Sequence, residues 1–134
     1  MKTYFADTFY FLALRNSKDD AHARAQAITM ELAGCAMVTT AWVLTEVADA
    51  LADPANRGGF SELLQLLRAD PNVVIVPPSL ELFEQGIDLY ARRPDKAWSL
   101  TDCISFVVMT EQRLAEALTG DHHFEQADFQ ALLK

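Results

Sequence analysis

The chain has 134 residues, of which 51% are hydrophobic and 22% are charged, and its formal net charge at pH 7 is −8. This length predicts one domain over residues 1–134, and the apolar content excludes a disordered chain, because enough apolar surface is available to offset the entropy of ordering. The negative charge is opposite in sign to the usual electrostatic footprint of a nucleic-acid-binding protein, so nucleic acid would have to be bound through a local feature.

No segment is typical of a membrane span, a secretory signal or a disulfide scaffold. The longest uncharged run, residues 32–45, has 14 residues, whereas a membrane helix needs about 20. Asp7 interrupts the apolar stretch that follows Lys2, and no small-residue cleavage site comes after it. Cys35 and Cys103 are far apart and form no Cys-x-x-Cys motif, which predicts reduced thiols. We expect a cytoplasmic protein that does not cross a membrane.

The first half of the chain alternates short apolar runs with stretches of helical periodicity. Ser17 and Asp20 are three residues apart and match a capping box, which predicts that a helix begins there. Pro54 ends a later helix. The predicted elements are a strand over Thr3–Ala6, a helix over Thr8–Arg15, a helix from Ser17 to Gly34, a strand over Ala36–Thr40 and a helix over Ala41–Asp53.

The second half continues the same alternation, which is the pattern of βαβ units. It predicts an α/β fold of three layers, a Rossmann-like central parallel sheet flanked by helices. The predicted elements are an amphipathic helix through Leu63, Leu64 and Leu67, a strand over Val73–Val76, a helix over Ser79–Arg93, an apolar helix from Thr101 to Arg113, a strand over Ala117–Thr119, a helical segment over His122–Gln126 and an edge strand over Phe129–Leu133.

Four acidic side chains lie close to the carboxyl ends of predicted strands, where open parallel sheets collect their ligands. Asp7 ends the first strand and Asp121 follows the fourth, whereas Asp102 opens the apolar helix and Glu46 lies in the helix after the second strand. Each has a structural interpretation too: Asp7 caps a helix, Asp102 closes a capping box with Ser99, Asp121 serves a turn and Glu46 is solvated. Brought together, four carboxylates would repel one another unless cations paired with them, and such oxygen ligands suit Mg²⁺ or Mn²⁺.

The sequence around these acids resembles the PIN domain ribonucleases, especially the single-domain bacterial toxins of VapC type. The resemblance covers essentially the whole chain and implies a PIN-like fold. It also implies a divalent-metal-dependent endoribonuclease that hydrolyses RNA phosphodiester bonds, with Asp7, Glu46, Asp102 and Asp121 as metal-binding and catalytic residues, and an antitoxin partner that covers the site. The segments that carry it are Ala6-Asp7-Thr8, Thr45-Glu46-Val47, Leu100-Thr101-Asp102-Cys103 and Thr119-Gly120-Asp121-His122-His123-Phe124.

Phe9 lies directly after one of the segments that resemble the family and His123 lies within another, and neither is part of the predicted site. Phe9 follows the Asp-Thr pair, where toxins of the family often have a small polar residue, and the same Phe9 disfavours a haloacid dehalogenase-like phosphatase, whose site needs a second Asp there. His123 matches the family's Asp-x-His-Phe ending, but the histidine of that ending is not a reliable catalytic residue, so we leave it out of the predicted site. His122, His123 and Cys103 match no zinc signature.

Supporting roles are predicted for three threonines and a basic cluster. Thr8, Thr101 and Thr119 are placed to orient the neighbouring acids, although Thr101 has an alternative role as a helix cap. The densest basic cluster precedes Asp102. Its members could contact RNA phosphates, or could form a solvated helix end that favours the helix dipole, and they are Arg92, Arg93 and Lys96.

A run of aromatic side chains on the first predicted helix is a candidate surface for a protein partner. Phe9, Tyr10 and Phe11 are consecutive on a helix and point in different directions, so at least one should be exposed unless a second copy or an antitoxin covers it; core packing is the alternative for each. Trp98 either stacks on a base or packs beside a helix start. We expect a homodimer.

A noncatalytic PIN-fold module that binds nucleic acid or protein is the alternative function. All four acids are present, which weighs against it, and a metal titration discriminates between the two hypotheses. A dinucleotide-binding or P-loop enzyme is disfavoured, because the chain has neither a Gly-x-Gly-x-x-Gly nor a Gly-Lys-Ser/Thr sequence.

Overall fold

A computed structural model describes residues 1–134, in which five strands alternate with seven helices. The order of the elements agrees with the alternation predicted from the sequence. The elements are β1 (Thr3–Ala6), α1 (Thr8–Arg15), α2 (His22–Glu31), β2 (Ala36–Thr40), α3 (Ala41–Ala50), α4 (Arg57–Ala69), β3 (Val73–Val76), α5 (Leu80–Arg92), α6 (Leu100–Glu111), β4 (Glu116–Leu118), α7 (His122–Gln126) and β5 (Gln130–Ala131).

All five strands belong to one parallel sheet with the order β3-β2-β1-β4-β5. Phe5 in the central strand pairs with Val38 of β2 on one side and with Ala117 of β4 on the other. The connections run from β1 outward to β3 and then cross back to β4 and β5. Because such crossovers are right-handed, α1–α4 lie on one face and α5–α7 on the other. The predicted three-layer α/β fold is confirmed.

The reversal of direction creates a topological switch point between β1 and β4. In open α/β sheets, ligands bind in the crevice outside the carboxyl ends of the two strands at such a point. Asp7 follows β1 directly, and Asp121 lies three residues after the end of β4. The topology therefore brings two acids that are far apart in the sequence to the same edge of the sheet.

Aromatic packing fixes the elements beneath this edge. Phe124 of α7 is fully buried, with its ring centroid 6.3 Å from that of Phe5 in β1 and 5.0 Å from that of Phe106 in α6. Trp98 packs edge-on against Phe106 at 5.0 Å, and its indole N–H donates to Gln126 Oε1 at 3.0 Å. Trp98 is thus a buried packing residue, which agrees with the second of its two interpretations.

Close packing of α5 on α6 depends on Gly86. This glycine is buried, and a Cβ atom added to it would clash with the side chain of Ile104. Any larger residue would push the two helices apart. Because α6 carries Asp102 at its start, the spacing of these helices also bears on the position of that acid.

The predicted start of α2 is wrong. The helix begins at His22, and its N-cap residue makes no side-chain capping bond, so Ser17 and Asp20 form no capping box. Instead, Asn16 Oδ1 accepts from the N–H of Lys18 at 3.0 Å and Asp19 Oδ1 accepts from that of Ala21 at 2.8 Å. Such Asx turns compete with helix formation for the same backbone groups.

The ends of several elements also differ from the prediction, among them α6, which ends at Glu111, and β4, which spans Glu116–Leu118. The second helix stops at Glu31, and the chain turns through Gly34, which has a left-handed φ of +86° that glycine adopts without strain. The third helix stops at Ala50, three residues before the predicted end. The last strand, β5, has two residues, because the chain enters it from a turn at Asp128 with φ of +71°.

The aromatic run in α1 is explained by packing. Tyr10 and Phe11 are buried in the core, and the Tyr10 hydroxyl lies 2.6 Å from Thr29 Oγ1. Phe9 is half-buried, and its ring covers Gly120, so a Cβ at that glycine would lie 2.5 Å from Phe9 Cζ. Core packing, the alternative for each aromatic, thus holds for Tyr10 and Phe11, whereas Phe9 stays partly exposed. Exposed large apolar side chains occur on α5, at Leu80, Phe83, Ile87 and Tyr90, and also at Met1, Met30, Leu66 and Val74.

Two further features concern the cysteines and the lengths of the helices. Both cysteines are free, Cys103 in the core and Cys35 half-buried. None of the helices is long and apolar enough to cross a membrane.

Candidate active site

Thr119 connects the ends of β1 and β4. Its hydroxyl donates to Asp7 Oδ2 at 2.9 Å and accepts the backbone N–H of Asp121 at 3.1 Å. Thr119 is fully buried, so water does not compete for these bonds. One hydroxyl group thereby fixes the positions of both acids at the switch point, and the prediction that Thr119 orients neighbouring acids agrees with this geometry.

Asp7 is an acid held in a nearly dry environment. Its exposed fraction is 4%, and although it occupies the N-cap position of α1, its side chain makes no capping hydrogen bond. Burial raises the pKa of Asp7 to about 7; the nearby charges of Asp102 and Glu46 act in the same direction, while the bond from Thr119 opposes them. An ionised carboxylate here is costly unless a cation compensates it.

Glu46 reaches the same place from α3. The hydroxyl of Thr8, the first residue of α1, donates to Glu46 Oε1 at 2.6 Å. The bond joins two helices that pack on one another and holds the carboxylate beside the residue that follows Asp7 in the chain. Glu46 is half-buried and hydrogen-bonded, so it is not a freely solvated surface acid.

Asp102 closes the capping box at the start of α6. Ser99 Oγ accepts from the Asp102 N–H at 3.0 Å, and Asp102 Oδ2 accepts from the Ser99 N–H at 3.1 Å. The interpretation of Asp102 as part of a capping box with Ser99 is thus confirmed. The same carboxylate also interacts with other groups of the site. Burial raises the pKa of Asp102, the charge of Asp121 acts in the same direction, and the Ser99 N–H and His123 oppose them.

Asp121 caps the short helix α7 and contacts a histidine of its first turn. Asp121 Oδ1 accepts the backbone N–H of His123 at 2.9 Å. The ring Nδ1 of His123 lies 3.1 Å from Asp102 Oδ2 and 3.4 Å from Asp121 Oδ1. His123 therefore links two of the four predicted acids.

The four acids form one electrostatic group. Asp102 and Glu46 each raise the pKa of Asp7, and Asp121 raises that of Asp102, so each acid influences at least one other. No lysine or arginine forms an ion pair with any of them. In Glu46, Asp102 and Asp121, one carboxylate oxygen is held by an N–H or O–H of the chain while the second has no hydrogen-bond partner. Asp7 accepts the Thr119 hydroxyl and also interacts with the backbone N–H of Thr8.

This donor set fits a divalent cation. Four carboxylates that repel one another and have no lysine or arginine partner are the oxygen ligands that Mg²⁺ and Mn²⁺ prefer. The oxygens without partners are the ones available to a cation, and the hydrogen bonds on the other oxygens orient the ligands, as outer groups commonly do in metal sites.

Histidines beside the acids could extend the ligand set. Ligand atoms of Asp121, His122 and His123 lie within 4.8 Å of one another. Cys103 is not among them, so the combination of both histidines with this cysteine gains no support as a zinc site.

The basic cluster is largely paired with acids. Arg92 Nε lies 2.9 Å from Asp88 Oδ2, and Arg93 makes two hydrogen bonds to the Asp95 carboxylate at 3.0 and 3.1 Å. Arg93 also covers the Trp98 ring at 5.0 Å from its centroid. Lys96 has no ion pair.

Thr101 and His123 depart from the sequence prediction in opposite directions. The Thr101 hydroxyl makes no hydrogen bond to any of the four acids, although the residue lies in the first turn of α6. His123, which the sequence prediction excluded, contacts two of them. The available signal was the spacing: the backbone N–H two positions after a capping acid bonds to that acid, which places His123 beside Asp121.

Fold and site together define an α/β domain with an acidic cluster at the switch point of its parallel sheet. The sequence matches the family model for the PIN domain over residues 4–130, so the chain belongs to the PIN domain family. The predicted family is confirmed.

One similar solved structure is the crystal structure of VapC20 from Mycobacterium tuberculosis, a toxin that cleaves the sarcin–ricin loop. The superposition has a TM-score of 0.84 with 24% sequence identity and covers 94% of this chain and 95% of the toxin. At this identity the likeness establishes the common fold. No curated protein matches the sequence.

Proposed function

We propose that the chain is a divalent-metal-dependent endoribonuclease and the toxin of a toxin–antitoxin pair, acting in the cytoplasm as a single domain over residues 1–134. In this proposal Asp7, Glu46, Asp102 and Asp121 hold Mg²⁺ or Mn²⁺ and act as the catalytic acids. Membership of the PIN family and the likeness in fold to a VapC toxin support it.

One observation carries the proposal: four carboxylates form one electrostatic group in which no lysine or arginine makes an ion pair. Asp7 is the most informative of them, because a carboxylate with an exposed fraction of 4% and a pKa raised to about 7 costs stability in the metal-free protein. A site of this kind is more easily explained by a bound cation than by packing.

The chain's own groups hold the acids in place. Thr119 fixes Asp7, Thr8 fixes Glu46, and the capping box fixes Asp102 at the start of a buried helix. When bound, a divalent cation lowers the pKa of water and neutralises the charge that develops on the phosphate during hydrolysis. The carboxylates in this proposal hold the cation and do not attack the phosphorus.

The proposed partners are RNA, an antitoxin protein and a second copy of the chain. Arg92, Arg93 and Lys96 contact phosphates, and Lys96 is the first to test because the two arginines are already paired with acids. A cognate antitoxin covers the acidic site with a basic group. The chain forms a homodimer, which sedimentation velocity on the purified chain would detect.

Cleavage of RNA tests the function. The purified chain is incubated with a mixed RNA pool and with an RNA of the sarcin–ricin loop, the substrate of the similar toxin. Parallel reactions contain Mn²⁺, Mg²⁺ or EDTA. Asp102→Asn removes one negative charge from the site, and Asp20→Asn removes one from an exposed turn as the matched control.

Isothermal titration with Mn²⁺ separates the outcomes. Cleavage that needs metal, survives in Asp20→Asn and is lost in Asp102→Asn supports the nuclease. Cleavage that persists in Asp102→Asn contradicts the proposed site. Metal binding without cleavage of either RNA points to a narrower substrate, and the absence of both points to the noncatalytic binding module.

A further inference from the structure

His123 contacts two of the proposed metal ligands through different atoms. Its backbone N–H donates to Asp121 Oδ1 at 2.9 Å, while its ring Nδ1 lies 3.1 Å from Asp102 Oδ2. We infer that His123 is a positioning residue that sets the separation and orientation of Asp102 and Asp121. The inference rests on the proposed function and identifies a determinant of that site.

The hydrogen-bond pattern assigns the ring atoms. Asp102 Oδ2 already accepts the N–H of Ser99, and an ionised carboxylate only accepts, so Nδ1 of His123 carries the proton that completes the bond. Asp102 Oδ2 then accepts from two donors, the Ser99 N–H and the His123 ring. Its other oxygen has no hydrogen-bond partner in the chain and is available to a cation.

A positioning residue must itself be held firmly, and His123 is. The side chain is only 19% exposed, and the next residue, Phe124, is fully buried against Phe5 and Phe106. The aromatic core therefore fixes the helix that carries the ring. His122 has a 63% exposed side chain and makes no comparable contact with Asp102.

Two conservative substitutions of His123 distinguish a role of ring Nδ1 from a role of ring Nε2. Asn carries its amide nitrogen on Cγ, at the place of Nδ1, whereas Gln carries it one bond further along, close to the place of Nε2. If His123 acts through Nδ1–H, then His123→Asn keeps the bond to Asp102, and His123→Gln and His123→Ala lose it.

The experiment measures Mn²⁺ affinity by isothermal titration for the wild-type chain, these three variants and His122→Ala. Loss of an outer partner weakens metal binding by about 10–100-fold. We expect that loss in His123→Ala and His123→Gln, with His123→Asn within about threefold of wild type and His122→Ala unchanged. Urea unfolding of the metal-free variants excludes a loss that comes only from misfolding.

Other results overturn the inference. Rescue by Gln in place of Asn would assign the role to Nε2, and equal losses in the His122 and His123 variants would make the histidines metal ligands. If the wild-type chain binds no Mn²⁺, the proposed function fails by itself. The inference is then decided by the ¹⁵N shifts of the His123 ring in the metal-free chain, where a proton on Nε2 contradicts it and a proton on Nδ1 supports it.

Discussion

Replacing Asp7 by Asn should stabilise the metal-free protein, although it removes a proposed catalytic group. The Asp7 carboxyl is 4% exposed, and its pKa is raised from 3.8 to about 7. Each pKa unit corresponds to about 1.4 kcal/mol, so a shift of roughly three units sets an upper bound of about 4 kcal/mol on the cost of ionising this group in the folded state. Asn has the same shape without the charge, and the Thr119 hydroxyl donates to its oxygen as well.

The sign of the pH dependence follows from linkage. A carboxyl group whose pKa is higher in the folded state favours folding in its protonated form. Its contribution is complete below pH 3.8 and is lost as the pH rises through about 7. The wild-type chain in EDTA should therefore lose stability between pH 4 and pH 7 relative to Asp7→Asn, and the two should agree near pH 4.

Urea unfolding in EDTA at several pH values measures this difference. Asp20→Asn, which removes a charge from an exposed turn, is the control and should follow the wild type. Added Mn²⁺ should stabilise the wild type and have little effect on Asp7→Asn. If Asp7→Asn is no more stable than the wild type at pH 8, or its advantage does not grow with pH, the reasoning about the buried carboxylate is wrong.

Three further substitutions test other parts of the structure. Thr8→Val removes the donor to Glu46 and should weaken Mn²⁺ binding by about tenfold in a calorimetric titration, because the ligand is no longer oriented. Thr119→Val leaves two buried bonds unmade and should lower the free energy of unfolding by about 2 kcal/mol in urea. Gly86→Ala forces a methyl group against Ile104 and should cost about 1–3 kcal/mol in the same assay.

Two control variants, each with the same change at a site outside the contact tested, accompany these substitutions. Thr45→Val removes a hydroxyl that bonds only within its own helix, so Mn²⁺ affinity should stay unchanged. Gly58→Ala adds a methyl group in open space within a helix and should be neutral or stabilise the chain. A Gly86→Ala variant as stable as Gly58→Ala would contradict the close packing of α5 on α6. Unchanged metal affinity in Thr8→Val would remove Glu46 from the proposed ligands.

The sequence predicts the order of the elements because their signals are local. Period-two and helical apolar patterns, the prolines after Val76 and the Ser99–Asp102 spacing are each read within one turn or strand, and the structure contains the expected elements. Local signals also compete. At residues 16–21 the Asx turns formed by Asn16 and Asp19 exclude the capping box that Ser17 and Asp20 would otherwise form.

The candidate site, too, is partly predictable from local signals and partly dependent on contacts between distant residues. Residue type and position near strand ends indicate four acids in the sequence, because carboxyl ends of parallel strands meet at one edge. Their environment depends on groups distant in the chain: Thr119 bonds an acid 112 positions away, and His123 bonds one 21 positions away. Burial by the assembled core, which raises the pKa of Asp7, exists only once the sheet and helices have packed. Sequence alone therefore determines which acids are present, whereas the tertiary structure decides which of their oxygens are held and which remain free to bind a cation.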